Sequence, residues 1–527
     1  MKYFIQTLGC MMNYSDTERV AAILEKMGYE KTDKPNQTDL YIFNTCSIRQ
    51  KGEDRVFGQL KKIKSWKQAN PRLHVGLTGC MVRKTSTKNS LKEDKDDLLR
   101  KPLPGVDFVF NIKDAHRLGE LISEAEPRLE IDNGELNLSG YEDLGLDDYL
   151  KITPKYSSPL IAYVPIQVGC DQYCTYCIVP YARGREQSRP LADIMRECEK
   201  LVENGCKEIT LGGQIVNSWG QSDLDLKNIE RVIPEFSSLP EKFQKEPFVY
   251  LLTQVDKLHS KGLNRLRFTS PHPRYFSDAL IEAHAQLKTL CPHIHLPIQS
   301  GDDQILQKMN RRYKASDYLK IAEKVRATIP NCAFGTDIIV GFCGESEQQF
   351  QNTLELYQKI GWDMCYLARY SERQGTVSQK AFPDDISRQE KASRWHRLNA
   401  LLEAFALDYH QKMVGHTAEV LVEKYIEETG ECEGRSRENK VVQFPGAPEQ
   451  VGQILPIKIT KALQWLVKGE SAGFIILRIR RFYPVPAAFQ PISGASFYRQ
   501  ASCWFLHIGG QSFGSSGRSS NFSNAQV

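Results

Sequence analysis

Apolar residues over positions 1–125 fall into three short runs, "KYFIQTLG", "DLYIFNT" and "LHVGLTG", each rich in strand formers. Between them the apolar positions recur at helical spacing, as in "SDTERVAAILEKMG", with Ser15 placed to cap and Gly28 to stop. This strand–helix–strand order predicts a parallel α/β sheet over 1–125. From 155 to 400 the alternation returns with six candidate strands: "IAYVPI", "KEITL", "NRLRF", "HIHLPI", "FGTDIIV" and "DMCYLAR". Six βα units fall short of a closed eight-stranded barrel, so an open, partial (β/α)6 barrel is expected. The 221–262 stretch is longer than a typical crossover, and 376–412 reads as a helical connector. Residues 413–475 turn β-rich ("HTAEVLVEKYI", "VVQF", "ILPIKIT"), which suits a small antiparallel β-barrel.

Polar, charged residues at 84–102 predict a mobile loop, and the acidic stretch around 127–150 predicts a separator between domains. The tail after about 475 contains no Lys, Asp or Glu and is rich in Ser, Gly and Phe; 476–527 is left unassigned.

Composition narrows the function classes only slightly. The net charge of +5 is small beside 69 basic and 64 acidic residues, so it permits a nucleic-acid partner without arguing for one. No run approaches the roughly 18 to 20 apolar residues of a membrane span. "TLGC" looks like a lipidation box, yet its apolar stretch "YFIQTLG" is interrupted by Gln6 and short for a signal segment. A cytoplasmic location is expected. In that compartment 14 cysteines do not read as a disulfide framework, which leaves metal or redox chemistry for those that cluster. Cys198, Cys206, Cys291, Cys332 and Cys365 sit among apolar residues and are expected in the core.

The densest cluster lies in "GCDQYCTYCIVPYARGREQSRP", where Cys170, Cys174 and Cys177 form C-x-x-x-C-x-x-C after the first strand of the second region. Three thiolates at this spacing can wrap one face of a [4Fe–4S] cubane, leaving one iron open to a substrate or cofactor. Zinc is the alternative, although a structural zinc site takes four protein ligands and no fourth Cys or His lies nearby. A second pattern is spread out. Cys10, Cys46 and Cys80 each close a predicted strand, about 35 residues apart, which matches one β-α-β repeat. Parallel strands joined by crossover helices carry their carboxyl ends on one edge, so the three thiols should converge. Singly each reads as a core cysteine; together they read as a second three-thiolate site.

Two such patterns on successive α/β regions, followed by a β-rich segment, resemble the methylthiotransferases of the radical S-adenosylmethionine (SAM) superfamily. The resemblance covers residues 1 to about 470 and rests on "GCMMN", "NTCSIR", "TGCMVR", "CTYCIVPYARGREQSRP", "RFTSPHP", "HIHLPIQSG", "MNRRY" and "DIIVGFCGE". "RGREQSR" and "MNRRYKASDY" favour the tRNA 2-methylthio-N6-dimethylallyladenosine synthases. The alternatives are the sister enzymes acting on threonylcarbamoyladenosine in tRNA or on a ribosomal-protein aspartate. Departures from the family pattern are Met11 for the usual Gln, Gly212 and Ile215 within "LLGQNVNS", and Cys343 for Pro in "GFPGE".

The resemblance implies SAM and two [4Fe–4S] clusters as cofactors. One cluster, on Cys170, Cys174 and Cys177, splits SAM to a 5′-deoxyadenosyl radical; the auxiliary one, on Cys10, Cys46 and Cys80, carries the sulfur that a second SAM methylates. The methylthio group goes to C2 of the adenine at position 37, next to the anticodon, a carbon whose hydrogen is neither acidic nor a leaving group. SAM contacts are implied at Tyr176, Gly213, Gln214, Ser270, Gln299, Asp337 and Gly341, with a tight βα turn as the alternative for each glycine. Arg183 and Arg185 either meet tRNA phosphate or form surface ion pairs. Residues 413–475 resemble a TRAM domain, in which Arg435, Arg437 and Lys440 beside Phe444 suit backbone and base contacts. Without the resemblance these four read as a solvated barrel face. Implied partners are a tRNA carrying dimethylallylated adenosine and an electron donor such as a flavodoxin-like reductant, with no membrane and a monomeric chain.

Overall fold

The computed structural model describes residues 1–46, 50–82, 85–87, 103, 105–125, 149–225 and 227–471. Outside them lie Ser47, Ile48 and Arg49 of "NTCSIR", Arg83 of "TGCMVR", nearly all of the 84–102 loop, most of the 127–150 separator and the 476–527 tail.

Six strands build the first sheet: β1 (Lys2–Leu8), β2 (Glu30–Lys31), β3 (Leu40–Thr45), β4 (His74–Gly79), β5 (Ser86–Thr87) and β6 (Phe108–Val109). Their order is β2-β1-β3-β4-β6-β5, parallel except for β5 against β6. The central β3 and β4 are buried along their whole length because both faces are covered. Leu40 and Ile42 pack with Val20, Ile23 and Leu24 of helix Met11–Lys26. Tyr41 and Phe43 pack with Val56, Leu60 and Ile63 of helix Gln50–Ala69. Pairing of Leu8 with Thr45, and of Thr45 with Gly79, brings the ends of β1, β3 and β4 level.

The second region holds β7 (Ile161–Pro165), β8 (Gln167–Val168), β9 (Gln187–Ser188), β10 (Glu208–Gly212), β11 (Arg265–Phe268), β12 (His293–His295), β13 (Ala333–Val340) and β14 (Met364–Arg369). The parallel triplets β7-β10-β11 and β12-β13-β14 are joined by a parallel bridge between Leu266 and Leu290, which gives an open six-stranded barrel wall. The β8–β9 ladder folds the cysteine-bearing loop back onto its own start. In the long crossover, helix Pro247–Asp256 buries Phe248, Leu251, Leu252 and Val255 in the core. Cys198, Cys206, Cys332 and Cys365 are buried in that core and Cys291 is buried too, as their apolar neighbours predict.

Helix Arg388–Met413 leads into a closed barrel of β15 (Thr417–Ile426), β16 (Glu431–Ser436), β17 (Val441–Pro445), β18 (Ile454–Ala462) and β19 (Val467–Ser471). Its pairings are antiparallel except β17 with β19. The barrel sits on the amino-terminal edge of the six-stranded wall. Arg265, the first residue of β11, donates to the Arg435 carbonyl at 2.7 Å and to the Glu419 carbonyl at 2.8 Å. Arg267 reaches the Arg437 and Ser436 carbonyls at 2.7 and 2.9 Å, and pairs at 2.9 Å with Glu208, the first residue of β10.

Candidate active site

Each member of the first triad lies at or just past a strand end, Cys10 after Leu8 and Gly9. Cys10 opens helix Met11–Lys26, Cys46 follows β3, and Cys80 follows β4. Backbone and amide bonds hold the three turns together. The Asn13 carboxamide accepts from the Cys10 backbone N–H at 3.3 Å and donates to Asn44 Oδ1 at 2.8 Å and to the Thr45 carbonyl at 3.0 Å. Asn44 returns a bond to the Asn13 carbonyl at 2.7 Å, and the Cys80 N–H donates to the Thr45 carbonyl at 2.8 Å. Gly79 has φ +93°, and a methyl there would overlap the Thr45 backbone, so only glycine turns the chain into Cys80. Asn13 and Asn44 are the "N" of "GCMMN" and "NTC"; those motifs carried the resemblance, but the role of the amides was missed.

The second triad lies on one loop. The Cys170 N–H donates to the Gly184 carbonyl at 3.1 Å, and the Cys177 N–H to the Cys174 carbonyl at 2.9 Å. Gly169, at φ +81°, lies so close to the Arg185 carbonyl that a side chain would collide with it. "MNRRY" clamps this loop from the far side. Asn310 Nδ2 donates to the Gln172 and Tyr173 carbonyls, each at 3.1 Å, and the Met309 carbonyl accepts from the Thr175 N–H at 3.1 Å. Arg311 Nη1 lies 3.4 Å from Cys174 Sγ, a charge-assisted donor to a ligand sulfur. Sequence reasoning used "MNRRY" only as a family marker, because the residues it holds stand well over a hundred positions upstream.

Cys80 of the first triad stands within electrostatic reach of Cys10 and, across the domain boundary, of Cys177 in the second. Burial pushes the Cys10 thiol up, and negative charge at Cys80 pushes it further. Burial, then the neighbouring Cys174, pushes Cys177 up, and Cys80 adds to that shift across the domain boundary. Arg373, beyond β14, lies within electrostatic reach of Cys46. Cys10 keeps an accessible face, Cys46, Cys80 and Cys170 are buried, and Cys174 and Cys177 are half-buried. Among the described residues no three Cys, His, Asp or Glu side chains converge closely enough to hold a single ion. Thiolates around a cubane each take a different iron and stand further apart than ligands of one ion. Soft sulfur donors with one open side fit iron–sulfur clusters.

Of the positions expected to contact SAM, Gly213, Gln214, Ser270, Gln299 and Gly341 follow the carboxyl ends of wall strands, and Tyr176 lies on the cysteine loop. Tyr176 packs edge-on against Phe342, their ring centres 6.4 Å apart. Gly213 adjoins Gln167, and Gln214 Oε1 is a buried acceptor with no protein donor, an atom suited to an ammonium group. Ser270 and Gln299 hold left-handed backbone at φ +62° and +76°, uncommon for such residues. Asp337 does not end its strand: it lies within β13 with its carboxylate 3.1 Å from His295 Nε2. Gly341 forms the turn after β13, its N–H donating to Glu345 at 2.7 Å and its α-carbon covered by Lys391. Three of the four departures are filled locally. The Tyr163 ring occupies the space a side chain at Gly212 would need, Ile215 packs against Cys170 and Val179, and Cys343 is buried beside Phe342 and Tyr370. Met11 is 47% exposed beside Cys10.

The basic residues require corrections. Arg183 is 2% exposed and pairs with Asp16 of the first region at 2.6 Å, so it is neither a surface ion pair nor open to phosphate. Arg185 stays exposed, paired with Asp171 at 2.8 Å. Phe444 is wholly buried in the closed barrel with Val442, which removes it from base stacking. Lys440 is buried against Asp363, just before β14. Arg437 donates to the Lys288 and Leu290 carbonyls at 2.9 and 3.2 Å, and Arg435 pairs with Glu423 at 3.4 Å. This basic-and-aromatic stretch anchors the barrel to the amino edge of the wall instead of presenting it to RNA.

Comparison with known proteins agrees with this architecture. The description "Radical SAM superfamily" matches residues 164–357, "Uncharacterized protein family UPF0004" matches 2–100, and "TRAM domain" matches 411–471. The tRNA-2-methylthio-N(6)-dimethylallyladenosine synthase of Thermoanaerobacter sp. (strain X514) is 38% identical over 90% of this chain and 93% of its own length. The proteins of that name from Geobacillus thermodenitrificans (strain NG80-2) and Caldicellulosiruptor saccharolyticus are 38% and 37% identical over 90% and 89% of this chain, and 84% and 92% of their own lengths. The chain therefore belongs to the tRNA-2-methylthio-N(6)-dimethylallyladenosine synthase family of radical SAM enzymes.

Proposed function

We propose that this enzyme converts N6-dimethylallyladenosine at position 37 of tRNA to its 2-methylthio derivative. The observation that carries the reading is a pair of three-cysteine patterns on successive α/β regions, within electrostatic reach of each other at Cys80 and Cys177, in a chain matched to its relatives over nine-tenths of its length. When bound, SAM and the two [4Fe–4S] clusters supply the radical, the methyl group and the sulfur.

In this reading Cys170, Cys174 and Cys177 hold one cluster and Cys10, Cys46 and Cys80 the other. Arg311 donates to Cys174 and fixes its sulfur. Gln214 accepts from the SAM ammonium group, and Tyr176, Gly213, Ser270, Gln299, Asp337 and Gly341 shape the rest of its pocket. The division of labour follows domains at 1–125, 155–400 and 413–475. Arg185, on the exposed rim of the cysteine loop, meets the RNA backbone. On the TRAM barrel the exposed Lys458 and Lys461 of β18 take the place expected of Arg435, Arg437, Lys440 and Phe444. Among the described residues no helix is long and apolar enough to cross a membrane. A cytoplasmic monomer reduced by a flavodoxin-like donor completes the proposal.

Mass spectrometry of tRNA nucleosides from a deletion strain tests it. The 2-methylthio group should disappear from dimethylallyladenosine while the dimethylallyl group stays. Loss from threonylcarbamoyladenosine, or an unchanged nucleoside pool, overturns the substrate assignment.

A further inference from the structure

Arg183 is the last residue of helix Val179–Arg183, which leaves the cysteine loop of the radical SAM region. Its side chain crosses into the first region, where Nη2 donates to Asp16 Oδ2 at 2.6 Å; both side chains are at least 97% buried. Asp16 lies on the helix that starts immediately after Cys10. Burying an ion pair costs several kcal/mol of desolvation per ion, about what the pairing returns, so adhesion alone is a weak reason for one. This pair is also incomplete: Arg183 Nη1 is a buried donor with no protein acceptor. The guanidinium stands within electrostatic reach of both Cys10 and Cys80. The residue after it, Gly184, accepts the Cys170 N–H at 3.1 Å, so one short segment serves a ligand of the loop triad and touches the field of the strand-end triad.

We propose that Arg183 is a positioning residue of the auxiliary site, giving its free N–H and its charge to the anionic sulfur held at Cys10 and Cys80. It would thereby lock that site against the radical-generating loop and help set its reduction potential. This rests on the reading that Cys10, Cys46 and Cys80 hold a cluster. Asp16 then has a defined part: it orients the guanidinium and neutralises part of its charge.

The test uses the full chain reconstituted anaerobically with iron and sulfide, and follows both clusters by redox titration with electron paramagnetic resonance. About eight irons per chain are expected; about four would mean that the auxiliary site itself is wrong. With eight present, Arg183→Gln should move the auxiliary potential to a more negative value, because a lost positive charge disfavours reduction. Asp16→Asn should move it the opposite way, since the remaining guanidinium is no longer neutralised, and Arg183→Lys should fall between Gln and wild type. In a C10A/C46A/C80A background, Arg183→Gln should leave the remaining cluster unmoved. Equal potentials in wild type and variants, shifts of the same sign for Arg183→Gln and Asp16→Asn, or an equal shift in the triple-alanine background overturn the proposal. Where one variant fails to hold iron, the sign of the other decides.

Discussion

The two cysteine triads have the same composition and are built in opposite ways. Cys170, Cys174 and Cys177 share one loop, whose closure needs only the β8–β9 ladder and a clamp from 309–311. Cys10, Cys46 and Cys80 share nothing in sequence and meet only because three parallel strands end level. A slip of one residue between β1 and β3 or between β3 and β4 would turn a thiol away from its partners. The loop triad is local; the strand-end triad is a product of tertiary structure, its supporting amides buried even though Cys10 keeps an accessible face. A site assembled by register is only as precise as the sheet beneath it. That accounts for the dense bonding among Asn13, Asn44 and Thr45.

The largest effects should come from removing ligands, and they should separate the two sites. Replacing Cys10, Cys46 and Cys80 with alanine should lower iron from about eight to about four per chain, abolish methylthio transfer and leave 5′-deoxyadenosine release intact. Replacing Cys170, Cys174 and Cys177 should remove the same amount of iron but stop both reactions. Iron counts with product chromatography check both variants. Thiolation that survives the first set would erase the distinction drawn between the triads.

Intermediate effects should come from the amides behind each triad. Asn13→Ala removes the amide donor to buried Asn44 Oδ1 and the acceptor that holds the Cys10 N–H, so about 1–3 kcal/mol of stability should go, together with the auxiliary iron. Asn310→Ala removes two bonds to loop carbonyls that border solvent, and a cost of about 1 kcal/mol is expected, confined to the loop cluster. Thermal unfolding of each variant, paired with iron counts, measures the difference. Equal losses from the two would show that burial does not set the triads apart.

Much of this layout was legible in the sequence. Six apolar runs marked the wall strands, and cysteines one βαβ unit apart marked the ends of β1, β3 and β4. What stayed hidden depends on pairs far apart in the chain. Arg183 and Asp16 are 167 residues apart, and Arg267 meets the Arg437 carbonyl across 170. No local pattern tells an arginine bound for a buried partner from one bound for phosphate. Phe444 is a different case. Strand β17 alternates, and Phe444 shares its parity with the buried Val442, so the period of two already pointed it inward. The basic residues around it drew attention to composition when the phase of the strand held the answer.

The smallest expected effect concerns the outer rim, where the triads differ once more. Arg185 has a 70% exposed side chain and pairs at 2.8 Å with Asp171, the neighbour of Cys170; its predicted companion Arg183 is buried. An exposed pair of this kind adds little to stability, so Arg185→Ala should leave unfolding and both iron counts unchanged. If the rim of the loop triad faces the RNA backbone, the variant should raise KM for tRNA a few-fold with little change in kcat. The slope of log binding against log salt should then fall by about one, the signature of one lost phosphate contact. Asp171→Asn should act in the opposite direction, because it releases the guanidinium from its internal partner and removes a negative charge facing the RNA. Salt-dependent binding of the two variants decides the matter: a slope unchanged in both places the RNA elsewhere, and the loop triad then loses the exposed role that sets it apart from the triad at the strand ends.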